Sequence, residues 1–428
     1  MDETNNQDKP TENNENNVND DIDIEEDDSD TDEDAGVDLD SKVLQRLKQN
    51  DPTITHLNVA LNCGDDGECF FNDIDWEKDG DCIANNIHLK RITINRKSYR
   101  QRYVLGEQGG HELPTRQQLQ DFFSCVHQNS SIFALIIDTI SINDDFSGRS
   151  IQGLGDHPSL KRLEIEFGRL ENKGCSAIGE VLNNAKSKLN DLRLPNCRLD
   201  DEDMLYLSGS LLGNSRMRKL CLNNNSQITS VGWRALSNVI RHPNCKLTTL
   251  SLGWNSITDE GAVILGNALS GASVKALDLC YNKSISFMGW HTLLNQLSET
   301  SVEHLSLKYN DVGDVGSTKL ASISTLKSLD LQCLNEDMAT TPTGWRPFFD
   351  LLRTRGIQLV KLDLSYTNMG NGVIVSLGSF LSAVSSTLKT LKMINMSYPY
   401  YEYGHYVTFT PQDWQTLFTT YMIPTWTW

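Results

Sequence analysis

The chain has 428 residues, 38% of them hydrophobic, which is enough for a large core and, judged on length alone, for two or three globular domains. Its formal charge of −19 is unevenly placed: residues 1–40 hold eighteen Asp and Glu against the one basic residue Lys9, so −17 falls there and the remainder is nearly neutral. With no basic and apolar leader pattern, and no apolar run near the roughly 20 residues of a spanning helix, the sequence argues against secretion and membrane insertion and for a soluble protein of the cytoplasm or nucleus.

Residues 1–41 contain runs such as DDIDIEEDDSDTDED and almost no large apolar side chains. Like-charge density of this kind predicts a disordered acidic arm. Ser29 and Thr31 are followed by acidic residues, the context that an acidophilic kinase favours, and phosphate there would deepen the charge. A short flanking helix is expected over 42–53.

From Ile54 onward one pattern recurs: an aliphatic residue followed three and five residues later by two more. It starts at Ile54, Leu89, Ile132, Leu160, Leu189, Met217, Leu247, Val274, Val302, Leu326, Leu359 and Leu388. Between Leu160 and Val302 the steps are 29, 28, 30, 27 and 28 residues, an internal repeat. In LTTLSLGWNSI the inner pair Leu250 and Leu252 reads as one face of a short strand, while Leu247 and Ile257 suit the bends before and after it. A helical stretch such as DEGAVILGNAL follows. Neither element buries its apolar side alone, so the units must stack, with parallel strands in a sheet and helices outside it.

The early intervals are longer, and inserts are expected at 62–88 and 95–131. The first, NCGDDGECFFNDIDWEKDGDC, brings Cys63, Cys69 and Cys82 together without a clear fourth zinc ligand. Its resemblance to a calcium loop fails at Asn86, where a bidentate Glu is needed. All ten cysteines are scattered without CxxC spacing and read as reduced core thiols. The second insert carries the basic run KRITINRKSYRQR.

A polar residue stands at the turn after each strand: Asn62, Asn225, Asn255, Asn282 and Asn310, with Cys197 as a substitute. A short amide there bonds backbone groups that no ladder satisfies. Trp233, Trp290, Trp345 and Trp414 mark every second helix, giving a longer period of about 57 residues, and are assigned to packing. The array ends on the aromatic-rich segment 398–428, read as an unusual cap, as a surface that a partner covers, or as the end of an incomplete array.

The LxxLxLxxN motif, the helix that follows and the 28-residue period together resemble the leucine-rich repeats of the ribonuclease-inhibitor-like superfamily over residues 54–425. That resemblance implies an α/β solenoid, a horseshoe of about 12 repeats with parallel strands on the concave face and helices on the convex face. It also leads one to expect two alternating repeat types. The family includes inhibitors, sensor domains and GTPase regulators, so fold does not choose the partner.

No phosphate loop, dinucleotide fingerprint, HExxH or GxSxG occurs, so no catalytic residue, metal or cofactor is assigned. The informative residues are those that point away from the core. Phe167, Trp254, Tyr281, Tyr309 and Tyr366 occupy the position before the turn residue, the middle three in successive repeats. At about 4.8 Å per strand they would make an aromatic strip for a protein partner, or stack merely to shield the sheet edge. On the strands lie Asp278, Asp330 and Asp363, alternating with Ser251 and Ser306 and ending at Lys392. This row suits a basic or amide-rich protein rather than nucleic acid or a membrane.

The opposite edge is basic, with Lys161, Arg162, Arg218, Lys219, Lys275 and Lys327. The acidic arm is expected to fold over it and compete with a partner. The primary reading is therefore a non-catalytic protein-binding module of open oligomeric state. Two alternatives stay open: an acidic chaperone or chromatin-type binder of basic proteins acting through the arm, and a Ran-type GTPase-activating protein.

Overall fold

A computed structural model describes residues 36–63, 69–71, 79–95, 116–138, 145–168, 170–332, 342–367, 369, 373–394 and 411–417. Residues 1–35 with Ser29 and Thr31, the basic stretch from Arg96 to Arg102, and most of 398–428 lie outside the described residues.

The strands are β1 (Val37–Asp38), β2 (His56–Cys63), β3 (Cys69–Phe71), β4 (Arg91–Asn95), β5 (Ala134–Asp138), β6 (Arg162–Glu166) and β7 (Asp191–Arg193). They continue as β8 (Lys219–Cys221), β9 (Thr249–Ser251), β10 (Ala276–Asp278), β11 (His304–Ser306), β12 (Ser328–Asp330), β13 (Lys361–Asp363) and β14 (Thr390–Lys392). All but β3 line up in chain order in one open sheet, β1-β2-β4 and on to β14, every neighbouring pair parallel. With a helix after most strands, this is the expected solenoid.

The repeat pattern explains the core directly. All twelve start positions, from Ile54 to Leu388, are buried, as are the inner pairs such as Leu250 with Leu252 and Leu277 with Leu279. Each such leucine contributes about 1.5–3 kcal/mol through burial. The helices cover that layer: α1 (Ser41–Lys48), α2 (Asp81–Ala84), α3 (Arg116–Gln128), α4 (Asp145–Gly153), α5 (Glu171–Asn183), α6 (Asp201–Leu211) and α7 (Ser230–Arg241). Then follow α8 (Asp259–Leu269), α9 (Phe287–Leu297), α10 (Gly313–Leu320), α11 (Pro342–Thr354), α12 (Ile374–Ala383) and α13 (Pro411–Thr416). Trp233, Trp290 and Trp345 are core residues of α7, α9 and α11.

The two-repeat alternation has a physical cause. Asp201, at the start of α6, accepts hydrogen bonds from the Thr229 N–H (2.8 Å) and the Gly232 N–H (2.9 Å) at the start of α7. Asp259 of α8 does the same for Ser286 before α9, accepting from its N–H at 2.7 Å and its hydroxyl at 2.6 Å. One helix of each pair thus supplies the N-terminal acceptor for the next. Glycine before the tryptophan is required by that contact, because a Cβ at Gly232 would stand 2.8 Å from the Asp201 carboxylate and 2.6 Å from Ile228.

Three expectations need correction. The structured chain starts before 42: Val37 and Asp38 pair with β2, Leu39 is 2% exposed, and Asp40 caps α1 by accepting from the Lys42 and Val43 N–H groups. The segment VDLD supplies two apolar residues that close the first end of the core. The interval 95–131 is only partly an insert, since Arg116–Gln128 is the helix of that repeat, with Phe122 and Val126 buried. Asn62 is not at a turn: β2 runs on to Cys63 and Asn62 pairs antiparallel with Phe70, because the β3 hairpin continues the strand that other repeats break.

Candidate functional site

The strand-to-helix turns form one rim of the sheet. Asn225, Asn255, Asn282 and Asn310 are buried there, and their amides donate back to strand-end carbonyls. Asn255 donates to Leu222 O, Leu252 O and Gly253 O, and its own carbonyl accepts the Asn225 N–H at 2.8 Å. Asn310 likewise donates to Leu279 O and accepts from the Asn282 N–H at 2.7 Å. The Cys197 thiol donates to Ile165 O, and the Thr367 hydroxyl, which the sequence pattern did not single out, donates to Leu331 O.

The residue just before the turn position, which is Asn after Trp254, Tyr281 and Tyr309, Gly168 after Phe167 and Thr367 after Tyr366, carries the aromatic side chain. Its backbone is left-handed in all five: φ is 50° at Phe167, 56° at Trp254, 50° at Tyr281, 56° at Tyr309 and 57° at Tyr366. The kink ends the strand. It turns the next residue inward to the carbonyls while the backbone N–H still bonds the following repeat, as Trp254 does to Cys280 O and Tyr281 to Lys308 O. The aromatic residues therefore stand on the rim beyond the strand ends, beside the sheet face rather than on it.

Three of them come together. The Trp254 and Tyr281 rings stack with centroids 3.7 Å apart and planes at 10°, and Tyr309 follows at 6.3 Å and 57°. Lys283 places its ammonium 4.7 Å from the Tyr281 ring centre. Trp254 remains 45% exposed. Phe167 (50% exposed) and Tyr366 (38%) are separated from this group along the rim; Asn196 and Asn224, also left-handed, fill the repeats between Phe167 and Trp254.

On the sheet face the register aligns Arg193, Cys221, Ser251, Asp278, Ser306, Asp330, Asp363 and Lys392 in one row. The three aspartates share a local role. Each carboxylate accepts the N–H two residues on, from Cys280, Gln332 and Ser365 at 2.9, 3.1 and 2.9 Å. Asp330 also pairs with Lys308 at 3.3 Å; burial raises its carboxyl above the usual range, with Lys308 opposing the shift. The aspartates thus close the strand ends; Asp330 and Asp363 remain half-buried on the face, whereas Asp278 is buried at 8% exposure.

At the opposite edge, where the strands begin, Lys161, Arg218 and Lys327 are exposed and Arg162, Lys219 and Lys275 half-buried. Lys275 and Lys327 both reach Glu303, and Arg162 reaches Glu164. Burial alone would raise the Glu303 carboxyl, but the two ammonium groups hold it below the ordinary value.

A second polar ladder, not read from the sequence, lies where helices return to strands. Asn86, Asn129, His157 and Asn214 each accept two backbone N–H groups just before a repeat begins, those of Ser159 and Leu160 in the case of His157 Nδ1. Asn129, His157 and Asn214 also donate backward by one repeat, as His157 Nε2 does to Val126 O at 3.0 Å. The signal available in the sequence was an Asn or His three residues before the starts Leu89, Ile132, Leu160 and Met217.

Among the described residues there is no cluster of three metal-ligating side chains, and no helix long and apolar enough to cross a membrane.

Known proteins share this pattern. The Leucine Rich repeat family model matches residues 244–266 and 299–321. The chain is 31% identical over 239 residues to the NACHT, LRR and PYD domains-containing protein 14 of Mus musculus, which covers 54% of this chain and 23% of that protein. It is 28% identical over 182 residues to the ribonuclease inhibitor of Mus musculus, covering 41% of this chain and 40% of the inhibitor. Among solved structures, a chain in the crystal structure of the Rad7 and Elc1 complex in yeast superimposes with a TM-score of 0.47 at 15% identity, covering 83% of this chain and 82% of that one. The chain spans less than half the length of these curated relatives, and under a quarter of the first.

Proposed function

Since the chain is a leucine-rich repeat protein of the ribonuclease-inhibitor-like kind, we propose that it is a non-catalytic module that holds a protein partner against its concave sheet, with Trp254, Tyr281 and Tyr309 as the main contact. The observation that carries this reading is the choice of residue at the left-handed position. Glycine or asparagine avoids most of the roughly 1–2 kcal/mol strain of that conformation. Asn196 and Asn224 take it in the two preceding repeats, yet the next three hold Trp, Tyr and Tyr.

Backbone strain in these three repeats, with Trp254 exposed and Tyr281 and Tyr309 half-buried beside it, favours a binding role over filler. Phe167 and Tyr366 lie further along the same rim as outlying contacts. Asp330 and Asp363, half-buried on the face with the buried Asp278 beside them, favour a partner that presents basic or amide groups, and disfavour the phosphates of nucleic acid. A reducing compartment, the cytoplasm first and the nucleus second, suits Cys125, Cys175 and Cys197, which are buried free thiols.

The test is affinity capture with intact protein and with a variant carrying Trp254→Asn, Tyr281→Asn and Tyr309→Asn. Asparagine fits the backbone, so the variant keeps its fold. A specific protein lost from the variant supports the reading. An unchanged captured set, with the fold intact by circular dichroism, removes the rim as the binding face.

A further inference from the structure

In a parallel sheet every strand begins at the same edge, and here that edge collects cations. Lys161, Lys219, Lys361 and Lys389 stand at the starts of β6, β8, β13 and β14, with Arg218 beside Lys219. Lys161, Arg218, Lys361 and Lys389 are exposed and Lys219 is half-buried. No described carboxylate pairs with any of these five, in contrast to Lys308 on the sheet face, which is 3.3 Å from Asp330. These five cations stand at four of the nine strands from β6 to β14, with Lys275 and Lys327 paired to Glu303 between them, so the edge is a long, interrupted basic track rather than a pocket.

The chain itself enters at this edge. β1 is the first strand and runs parallel to β2, with Val37 opposite Leu57, so the residues upstream of Gly36 leave the sheet from the side where the lysines stand. Residues 1–35 contain sixteen Asp and Glu and one Lys, a formal −15. Extended, they reach roughly 115 Å at about 3.3 Å per residue, whereas the track from β2 to β14 spans only about 55 Å at about 4.8 Å per strand. The segment covers it with slack, and its tether keeps it at an effective concentration near the millimolar range.

We propose that residues 1–35 lie along this basic edge in the same chain, an internal polyanion that masks it from other anionic molecules. The acidic side chains from Asp20 to Asp34 make the contacts. Phosphate on Ser29 or Thr31 would tighten them, because it adds charge of the sign the track lacks. This inference concerns the edge opposite the aromatic rim and stands or falls separately from the partner proposed there.

Zero-length carbodiimide cross-linking of the full chain, read by mass spectrometry, tests it without any partner. Carboxylates of residues 20–34 should join Lys161, Lys219, Lys361 and Lys389. The yield should fall about fivefold or more between 0.05 and 0.5 M salt, as the screening length shrinks from about 14 Å to about 4 Å. A full-length variant with Lys161, Lys219, Lys361 and Lys389 each changed to Gln should be cut several times faster after Glu25, Glu26 and Glu33 by a glutamate-specific protease. Equal cross-linking to lysines in the helices, such as Lys173 of α5 and Lys319 of α10, overturns the proposal. So does an unchanged cleavage rate. Cross-links that join isotope-labelled to unlabelled copies overturn it too, since the track would then hold a second chain's segment.

Discussion

The indole of Trp254 lies flat on the ring of Tyr281, 3.7 Å between centroids with planes at 10°, and both residues are left-handed. Neighbouring repeats thus hold in common a contact that neither backbone favours alone. A double-mutant cycle with Trp254→Ala and Tyr281→Ala, followed by urea unfolding, should give a coupling of about 1 kcal/mol. Additive effects would mean that the stack contributes nothing to stability and that the rings are held by their own backbones.

Phe167 offers the contrast. It has the same left-handed backbone, is 50% exposed, and makes no ring contact among the described residues. Phe167→Asn should therefore raise stability, by about 0.5–1 kcal/mol, because asparagine tolerates this conformation better and little packing is lost. Tyr281→Asn should not, since it gives up the stack. A higher urea midpoint for the first variant alone is the expected outcome; a lower midpoint for Phe167→Asn would show hidden packing at that residue.

Asp259→Ala tests the coupling between alternate helices. It removes the acceptor of the Ser286 N–H and hydroxyl at the start of α9, and should cost about 1–2 kcal/mol, the usual worth of a helix cap. Asp201→Ala should behave alike at α7. Because the two contacts lie two repeats apart, the double variant should be additive in equilibrium unfolding. Ser286 already caps α9 by accepting the Gly289 N–H at 3.3 Å, so strengthening that local cap by Ser286→Asp in the Asp259→Ala background should recover part of the loss.

What was legible in the sequence follows from how local each signal is. The twelve starts and the inner leucine pairs announce themselves because burial on a three- and two-residue spacing leaves no freedom of residue type. The amide ladder is legible for the same reason at Asn225, Asn255, Asn282 and Asn310. Asn62 has the right spacing but the wrong neighbours, since the hairpin strand β3 captures it. β1 was missed because two residues carry no periodicity. The Asp201 and Asp259 caps act across about one repeat, so only the recurrent GW hints at them. The left-handed rim could not be read at all: Trp and Tyr give no sign of positive φ, and the stacking of the candidate site follows from that backbone feature. The acidic row was visible as charge, but its hydrogen bonds to Cys280, Gln332 and Ser365 were not.

His157 makes the fold sensitive to acid. It is 2% exposed; Nε2 faces Val126 O, and Nδ1 accepts from the Ser159 and Leu160 N–H groups, which fixes the neutral tautomer. A second proton on Nδ1 would point at two donors. Burial lowers the pKa of His157 below its ordinary 6.5, the Val126 carbonyl opposes this, and nearby His127, itself lowered by burial, adds to it. The unfolded chain therefore takes up protons at a higher pH than the folded one. Stability is complete above about pH 6.5 and falls as pH drops through that value toward the depressed folded pKa, where the loss levels off. His157→Asn should flatten much of this slope, since Asn86, Asn129 and Asn214 make the same pair of acceptor bonds without titrating. Urea midpoints between pH 5 and 8 decide it: an equal slope in the variant would place the titration at His127 or elsewhere.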